Sequence, residues 1–328
     1  MGTLEMNWIG IEAAAYYLPG ESACVSHWMT TMAIPVLTQE RILRGGHQRY
    51  YPGEGQSVAE LCRNACQQLF QASTLQACEV DLIIHAHTMV TSVAAPPQSM
   101  VAGLARDLGA HRAAAFSVSN LHCGSMIGAL RIIENLMATD SRIRNAVVVT
   151  ADTVRGPDFV HPNQSYVHSD GAAAIWVRRN SGRNRVCAIS VNNLSDFHMG
   201  YLITEEQRRR YDMTSQLITL RTIKQAIRRS GVESAQVRHL VPQNVSRQSW
   251  IEVARHINPA ADFLFDRNIA EKGHACCSDI VINLLDGGFL DPQGSDAIVA
   301  VVRGTTGTCA AFVLHGVPLT ADMQTTGN

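Results

Sequence analysis

Short apolar runs rich in Val, Ile and Ala alternate along this chain with longer amphipathic stretches, and the alternation is made twice. In the first pass "WIGIEAAAYYL", "VDLIIHAHT", "AAAFSVS", "NAVVVTAD" and "GAAAIWVRR" have the length and β-branched content of buried strands. Between them, residues 57–73 place Val58, Leu61, Cys62, Ala65, Leu69 and Phe70 at helical spacing. Residues 96–110 put Pro near a helix start and Gly109 near its end, and residues 124–139 carry a third helical stripe. After the polar connector "RNSGRNR" (179–185) the rhythm returns, from "VCAISVNNL" through the charged helical stretch 205–231 to the strands "DAIVAVVRG" and "TCAAFVLHG". Strand–helix alternation predicts an α/β fold with largely buried sheets, in two similar halves, residues 1–180 and 186–328.

Composition narrows the function classes. Hydrophobic residues make up 46% of the 328, enough for a large core, and the formal charge is −1, so nothing draws the chain to nucleic acid or to a membrane surface. Nine cysteines are scattered rather than clustered, which predicts free thiols in a cytoplasmic protein. Residues 1–20 lack the basic and long apolar regions of a signal peptide. No apolar run reaches the ~18–20 residues of a membrane span.

Two short stretches hold the chemistry. In "AFSVSNLHCGSMIGALRIIENLMA" (115–138) a strand enters a sharp turn and a helix leaves it, with Cys123 at the elbow. A cysteine at a helix N-terminus gains thiolate character, and its own N–H can contribute to an oxyanion hole. The same cysteine can equally be a small buried apolar residue. The second stretch, "GHACCSD" (273–279), packs His274, Cys276, Cys277 and Asp279 ahead of an apolar helix. Adjacent cysteines without a CxxC partner fit zinc poorly, so no metal is expected. Asp279 is either a partner for His274 or an acid favoured in the first turn of the helix. Cys62 and Cys66 read as core, and His85 and His87 as mainly structural.

These stretches, with "IGIEAAAYYLPG", "HSDGAAAIWV" and "RGTTGTCAAFVL" in the same order, resemble the β-ketoacyl-ACP synthase III family of the thiolase superfamily. The resemblance implies a thiolase fold, layered α-β-α-β-α, a homodimer, and Cys123 as acyl-accepting nucleophile. Two departures stand out. Condensing members carry a histidine in a "PHQAN"-like loop and an asparagine in a "GNT" turn. Here the loop is "VPQNVS", with Gln243 in the histidine's place, and the turn is "GHA", with His274 in the asparagine's place. An amide at 243 cannot move protons, whereas an imidazole at 274 can.

Cys123, His274 and Asp279 thus resemble the triad of a divergent branch of the family that moves acyl groups to hydroxyl acceptors of natural products, or loads starter units. The resemblance implies a short acyl group arriving as a CoA or acyl-carrier-protein thioester, a small-molecule acceptor with a hydroxyl or amine, and no bound cofactor. It places Gln243, Asn244, Thr306 and Gly307 at the pocket or oxyanion hole, the loop 87–98 along the acyl pocket, and Arg44 and Arg247 at the donor entrance. The run Arg208–Arg210 is either a carrier-protein contact or a solvated face. Carbon–carbon condensation and a non-catalytic, carrier-binding homologue are the rival functions.

Overall fold

The computed structural model describes residues 8–53, 55–89, 92–95, 97–154, 164–260, 262–290 and 296–316. Strand β1 (Ile9–Tyr17) is followed by a small hairpin, β2 (Ala23–Cys24) with β3 (Arg49–Tyr50), which encloses helices α1 (Val25–Thr31) and α2 (Val36–Gly45). Then come α3 (Val58–Gln71), β4 (Leu82–Ala86), α4 (Met100–Leu108), β5 (Ala114–Val118), α5 (Ser125–Thr139), β6 (Asn145–Asp152) and β7 (Gly171–Arg179). The remainder is β8 (Arg185–Asn193), α6 (Glu205–Ser230), β9 (Val237–Pro242), α7 (Arg247–Arg255), α8 (Arg267–Lys272), α9 (Asp279–Asp286), β10 (Ala297–Arg303) and β11 (Thr308–His315).

Local signals account for the helix limits. Ser57 and Glu60 cap α3 reciprocally, Thr204 and Gln207 do the same for α6, and Gly109 and Gly231 end α4 and α6 in the left-handed conformation. The short elements β2, β3, α1, α2 and α8 have no counterpart in the sequence reading. β2, β3, α1 and α8 are too brief for periodicity to reveal, whereas α2, at 10 residues, is longer than α4, which has a counterpart.

The strands form a continuous order β5-β4-β6-β7-β1-β8-β11-β10-β9. Its centre is thin: β1 meets β8 through one residue pair, Gly10 with Arg185. Beside it the Ile11 N–H donates to the Asn184 carbonyl at 3.1 Å, and Asn184 Nδ2 donates to the Ile11 carbonyl at 2.9 Å. Two sheets therefore lie edge to edge at this bridge, and helices fill three cores around them. One core packs α5 and α9 between inner faces of both sheets, through residues such as Ile127, Ile280, Val148 and Phe312. A second holds α3 and α4 against the outer face of the first sheet, and a third holds α6 and α7 against the outer face of the second. The layers run α-β-α-β-α. Strands covered on both faces need near-continuous apolar sequence, and β4, β6 and β11 are buried along their whole or nearly whole length.

The parallel strands β4, β5 and β6 end on the same edge, as do the parallel β9 and β10. Thr88, Cys123 and Asp152 follow or close the first group. Gln243, Asn244 and Arg303 follow or close the second. The site lies where those ends converge, as sheets of this class place it. Among the described residues no helix is long and apolar enough to cross a membrane. The nine cysteines are unpaired.

Candidate active site

Cys123 sits in a 3₁₀ turn, His122–Gly124, immediately before α5. The approach is strained: Asn120 and His122 hold φ of 68° and 50°, a region few non-glycine residues occupy. No side chain caps the first turn of α5, so its N–H dipoles are left to the thiol's neighbourhood.

His274 is held in an extended conformation, outside any helix. Its N–H donates to the Val167 carbonyl and its carbonyl accepts the Ser169 N–H, both at 2.9 Å. Gly273 precedes it with φ +66°, and a Cβ there would come within 2.8 Å of Ser169 Oγ and 3.1 Å of the Val167 carbonyl. A second 3₁₀ turn, Cys276–Ser278, separates His274 from the start of α9 at Asp279.

That spacing lets Asp279 reach backwards. Its Oδ2 lies 2.5 Å from His274 Nδ1, and on the far side of the ring Nε2 lies 3.3 Å from Cys123 Sγ. The carboxylate also accepts the backbone N–H groups of Ala275 and Asn244, each at 2.7 Å. Asp279 is 0% exposed, His274 2% and Cys123 6%. Asp279 occupies the first turn of α9, yet its oxygens serve His274 and two loop N–H groups rather than capping the helix.

The electrostatics follow from this line. Hydrogen bonding from Cys276, together with the field of His274, holds the Cys123 thiol well below the ordinary thiol range against the opposing effect of burial. Burial by itself lowers His274, but the Asp279 carboxylate and the Cys123 thiolate outweigh it and raise the imidazole to about 10. Both shifts favour a thiolate beside an imidazolium, with a buried carboxylate behind the ring.

The other expected site residues fall into place differently. Gln243 lines the cavity in front of Cys123, but its amide is committed to the backbone of Arg303. Nε2 donates to that carbonyl at 2.9 Å, and Oε1 accepts its N–H at 2.5 Å. Asn244 does not face the cavity. Its backbone supports Asp279, and its Oδ1 accepts from Asn283 Nδ2 at 2.8 Å. The Gly307 N–H closes the turn on the Gly304 carbonyl at 3.2 Å. Thr306 does not line the cavity, whereas Gly304 and Thr305 do. The Thr305 N–H has no internal acceptor among the described residues.

Arg44 is exposed on the last turn of α2, outside the cavity. Arg247, at the start of the neighbouring α7, is bound to Asp266 at 2.6 Å. Of the run Arg208–Arg210, Arg208 lines the cavity, while Arg209 and Arg210 lie near Glu205 and Asp196 at 3.7 and 3.2 Å. In the loop 87–98, Val90, Thr91 and Pro96 lie outside the described residues. Thr88 approaches Cys123 Sγ at 3.7 Å and Cys277 Sγ at 3.3 Å. His85 and His87 stack at 4.9 Å and bond to backbone carbonyls.

Several participants went unread in the sequence. Asp152, buried and pushed up to about 7 by that burial, accepts the N–H groups of Thr88 and Met89 and the hydroxyl of Ser92. Tyr166 packs edge-on to His274 with ring centroids 5.0 Å apart. Arg303 lines the same cavity; its signal in the sequence is the lone charge at the end of the apolar run "AIVAVVR". The cavity has a volume of about 330 Å³.

Known proteins resemble the chain in two ways. The profile of the 3-oxoacyl-[acyl-carrier-protein] synthase III family matches residues 118–194. A β-ketoacyl-[acyl-carrier-protein] synthase III of Wolbachia pipientis wMel is 28% identical over 158 residues, 48% of each chain. One from Levilactobacillus brevis is 30% identical over 168 residues, 50% of this chain and 49% of its own. The matches thus span about half the length of these curated relatives. Among solved structures, ChlB3, described as an acyltransferase, superposes with a TM-score of 0.81 at 17% identity, covering 94% of this chain and 98% of its own. The FabH synthase of Pseudomonas aeruginosa PAO1 superposes at 0.78 and 17% identity, with 95% and 99% covered. Fold and sequence around Cys123 agree: residues 118–194 resemble the ketoacyl synthase III family, and the chain has the fold of ChlB3 and of the FabH synthase.

Proposed function

We propose that this protein is an acyltransferase that carries a short acyl group on Cys123 from a CoA or acyl-carrier-protein thioester to a hydroxyl or amine acceptor, as in natural-product biosynthesis. One observation carries the reading: the unbroken line from Cys123 Sγ through both nitrogens of His274 to Asp279. The Cys123 thiolate attacks the thioester carbonyl. The departing thiolate takes the proton of the His274 imidazolium, leaving an acyl-enzyme and a neutral imidazole. Acylation removes the negative charge that helped hold His274 protonated, so the imidazole becomes a base for the acceptor. Acceptor attack then expels Cys123 as thiolate and regenerates the ion pair. The N–H groups of Cys123 and Thr305 are the oxyanion donors, and Asp279 fixes the tautomer. No cofactor enters this cycle. The working unit is a homodimer in the cytoplasm.

Carbon–carbon condensation is the second reading, favoured by the names of the curated relatives. Against it stands the amide of Gln243, spent on Arg303 and so not free to stabilise an enolate. Intact-mass spectrometry after exposure to acyl-CoA donors tests the shared first half. Wild type gains one acyl group and Cys123→Ala gains none. An adduct persisting in Cys123→Ala moves the nucleophile elsewhere; no adduct on wild type leaves a non-catalytic homologue. Carbon dioxide and a β-ketoacyl product from added malonyl-ACP would make the protein a condensing enzyme.

A further inference from the structure

Arg303 closes β10 on the cavity that opens onto Cys123. Its guanidinium lies over the Trp250 ring, 4.2 Å from the centroid, and one nitrogen donates to Ser249 Oγ at 2.8 Å. Among the described residues it has no carboxylate partner within ion-pair distance, and its other N–H groups have no internal acceptor. Burial draws its pKa down, so the charge is held at a cost that nearby groups only partly offset. Trp250 is fully buried, its Nε1 tied to the Gln243 carbonyl at 2.9 Å. The stacking platform is therefore rigid and fixes the orientation of the fork.

The charged side chains of the wall, apart from the Cys123–His274 ion pair, are Arg208, Asp212 and Arg303. With these three ionised, the wall carries a net charge of +1, partly offset by the carboxylates of Glu252 and Asp279 behind it. A guanidinium that is stacked, oriented and unpaired suits a planar anion bound through two parallel hydrogen bonds. At about 330 Å³ the space is at the small end for ligand sites.

We propose that Arg303 binds a carboxylate carried by the substrate, on either the acyl group or the acceptor, and so makes the site selective for small monoanionic molecules. The inference rests on the acyl-transfer reading and names the substrate class of that same cavity. An ion pair to Arg303 stabilises a carboxylate and opposes its loss as carbon dioxide, in keeping with transfer rather than decarboxylative condensation.

Three measurements on the full chain test it. Cys123 acylation is timed by intact mass with succinyl-CoA against butyryl-CoA and with glutaryl-CoA against valeryl-CoA, pairs that exchange a carboxylate for a methyl. The acetyl-enzyme is then followed with lactate and 3-hydroxybutyrate against their amides. Finally, succinamate is compared with succinamide for protection of Cys123 from iodoacetamide, which reads binding without turnover. The expected result is a preference for the anion of about 10- to 100-fold in the acylation arm or the acceptor arm, which tells the source. Protection by succinamate should accompany it. Arg303→Gln should abolish the preference and Arg303→Lys retain part of it, with melting temperatures reporting whether each variant folds. No anion preference in any of the three for wild type, or a preference that survives Arg303→Gln, overturns the inference. Acylation by butyryl-CoA without anion selectivity would sink this inference alone. Anionic protection of a thiol that no thioester acylates would sink the acyl-transfer reading and leave the anion site standing.

Discussion

A thiolate held beside an imidazolium has a signature that does not depend on knowing the substrate. Cys123 is lowered well below 9.0 and His274 is raised to about 10. The thiolate is therefore present from its depressed pKa upward, and it is lost only as pH falls through that value. Alkylation of Cys123 by iodoacetamide should be nearly constant from about pH 6 to 9. In His274→Ala the profile should instead climb towards the ordinary thiol pKa of about 8.5. A wild-type rate that rises tenfold per pH unit across that range would mean that Cys123 rests as a thiol. Two further substitutions separate orientation from architecture. Asp279→Asn keeps the size but presents an amide to Nδ1, and should cost about 10²–10⁴-fold in acyl transfer. Gln243→Ala removes hydrogen bonds to the Arg303 backbone and should cost about tenfold at most. Single-turnover rates compare them; the reverse order would shift the proton chemistry away from His274. The chemical identity of these residues was legible in the sequence, because the histidine and the aspartate stand in a motif. The roles of Asn244 and Gly307 were not, since each depends on which backbone groups the folded loops bring within 3 Å or so.

At the scale of elements, the site is made by what happens between regular segments. His274 and Asp279 are five residues apart, an offset of about 140° on a helix of 3.6 residues per turn, so a helix running through both would part them. The chain avoids this with an extended residue, a 3₁₀ turn, and only then α9. Gly273 permits that entry. Gly273→Ala would place a Cβ against Ser169 Oγ and the Val167 carbonyl at a φ that non-glycine residues rarely adopt. We expect a loss of about 1–3 kcal/mol in stability and a larger proportional loss of acyl transfer, because the displaced residue is His274. Denaturant titration read beside the acylation rate checks this; an unchanged rate in a destabilised protein would show that His274 does not depend on its backbone bonds to Val167 and Ser169. The long helices and strands were legible from period and caps. The positive φ of His122 and Cys276, which turn both chemical stretches towards each other, left no mark in residue type.

For the molecule as a whole, the decisive point is the seam between the sheets. Strand alternation on either side of the connector was enough to expect two α/β halves, and the family resemblance implied their layering, but neither told where the two sheets touch. They meet through Gly10 and Arg185, flanked by the Ile11–Asn184 hydrogen bonds. At Gly10 a Cβ would stand 2.4 Å from the Arg183 carbonyl and 2.8 Å from Ser181 Cβ, neither of which is a flexible end. Gly10→Ala must therefore push the connector away from β1. Overpacking of this kind costs about 1–3 kcal/mol, and its effect should reach the site, for Cys123 follows the first sheet while Gln243 and Arg303 close the second. The inner core of α5 and α9 spans both sheets, so the seam can shift without the halves separating. Gly10→Ala should then unfold in one transition at lower denaturant, with slower acyl transfer. The flat pH profile of Cys123 alkylation should persist, because Val167 and Ser169 on the first-sheet side hold His274. Two resolved transitions would make the halves independent folding units and assign the cohesion of the molecule to the seam rather than to the shared core. A lost pH profile would mean that the seam itself sets the Cys123–His274 distance.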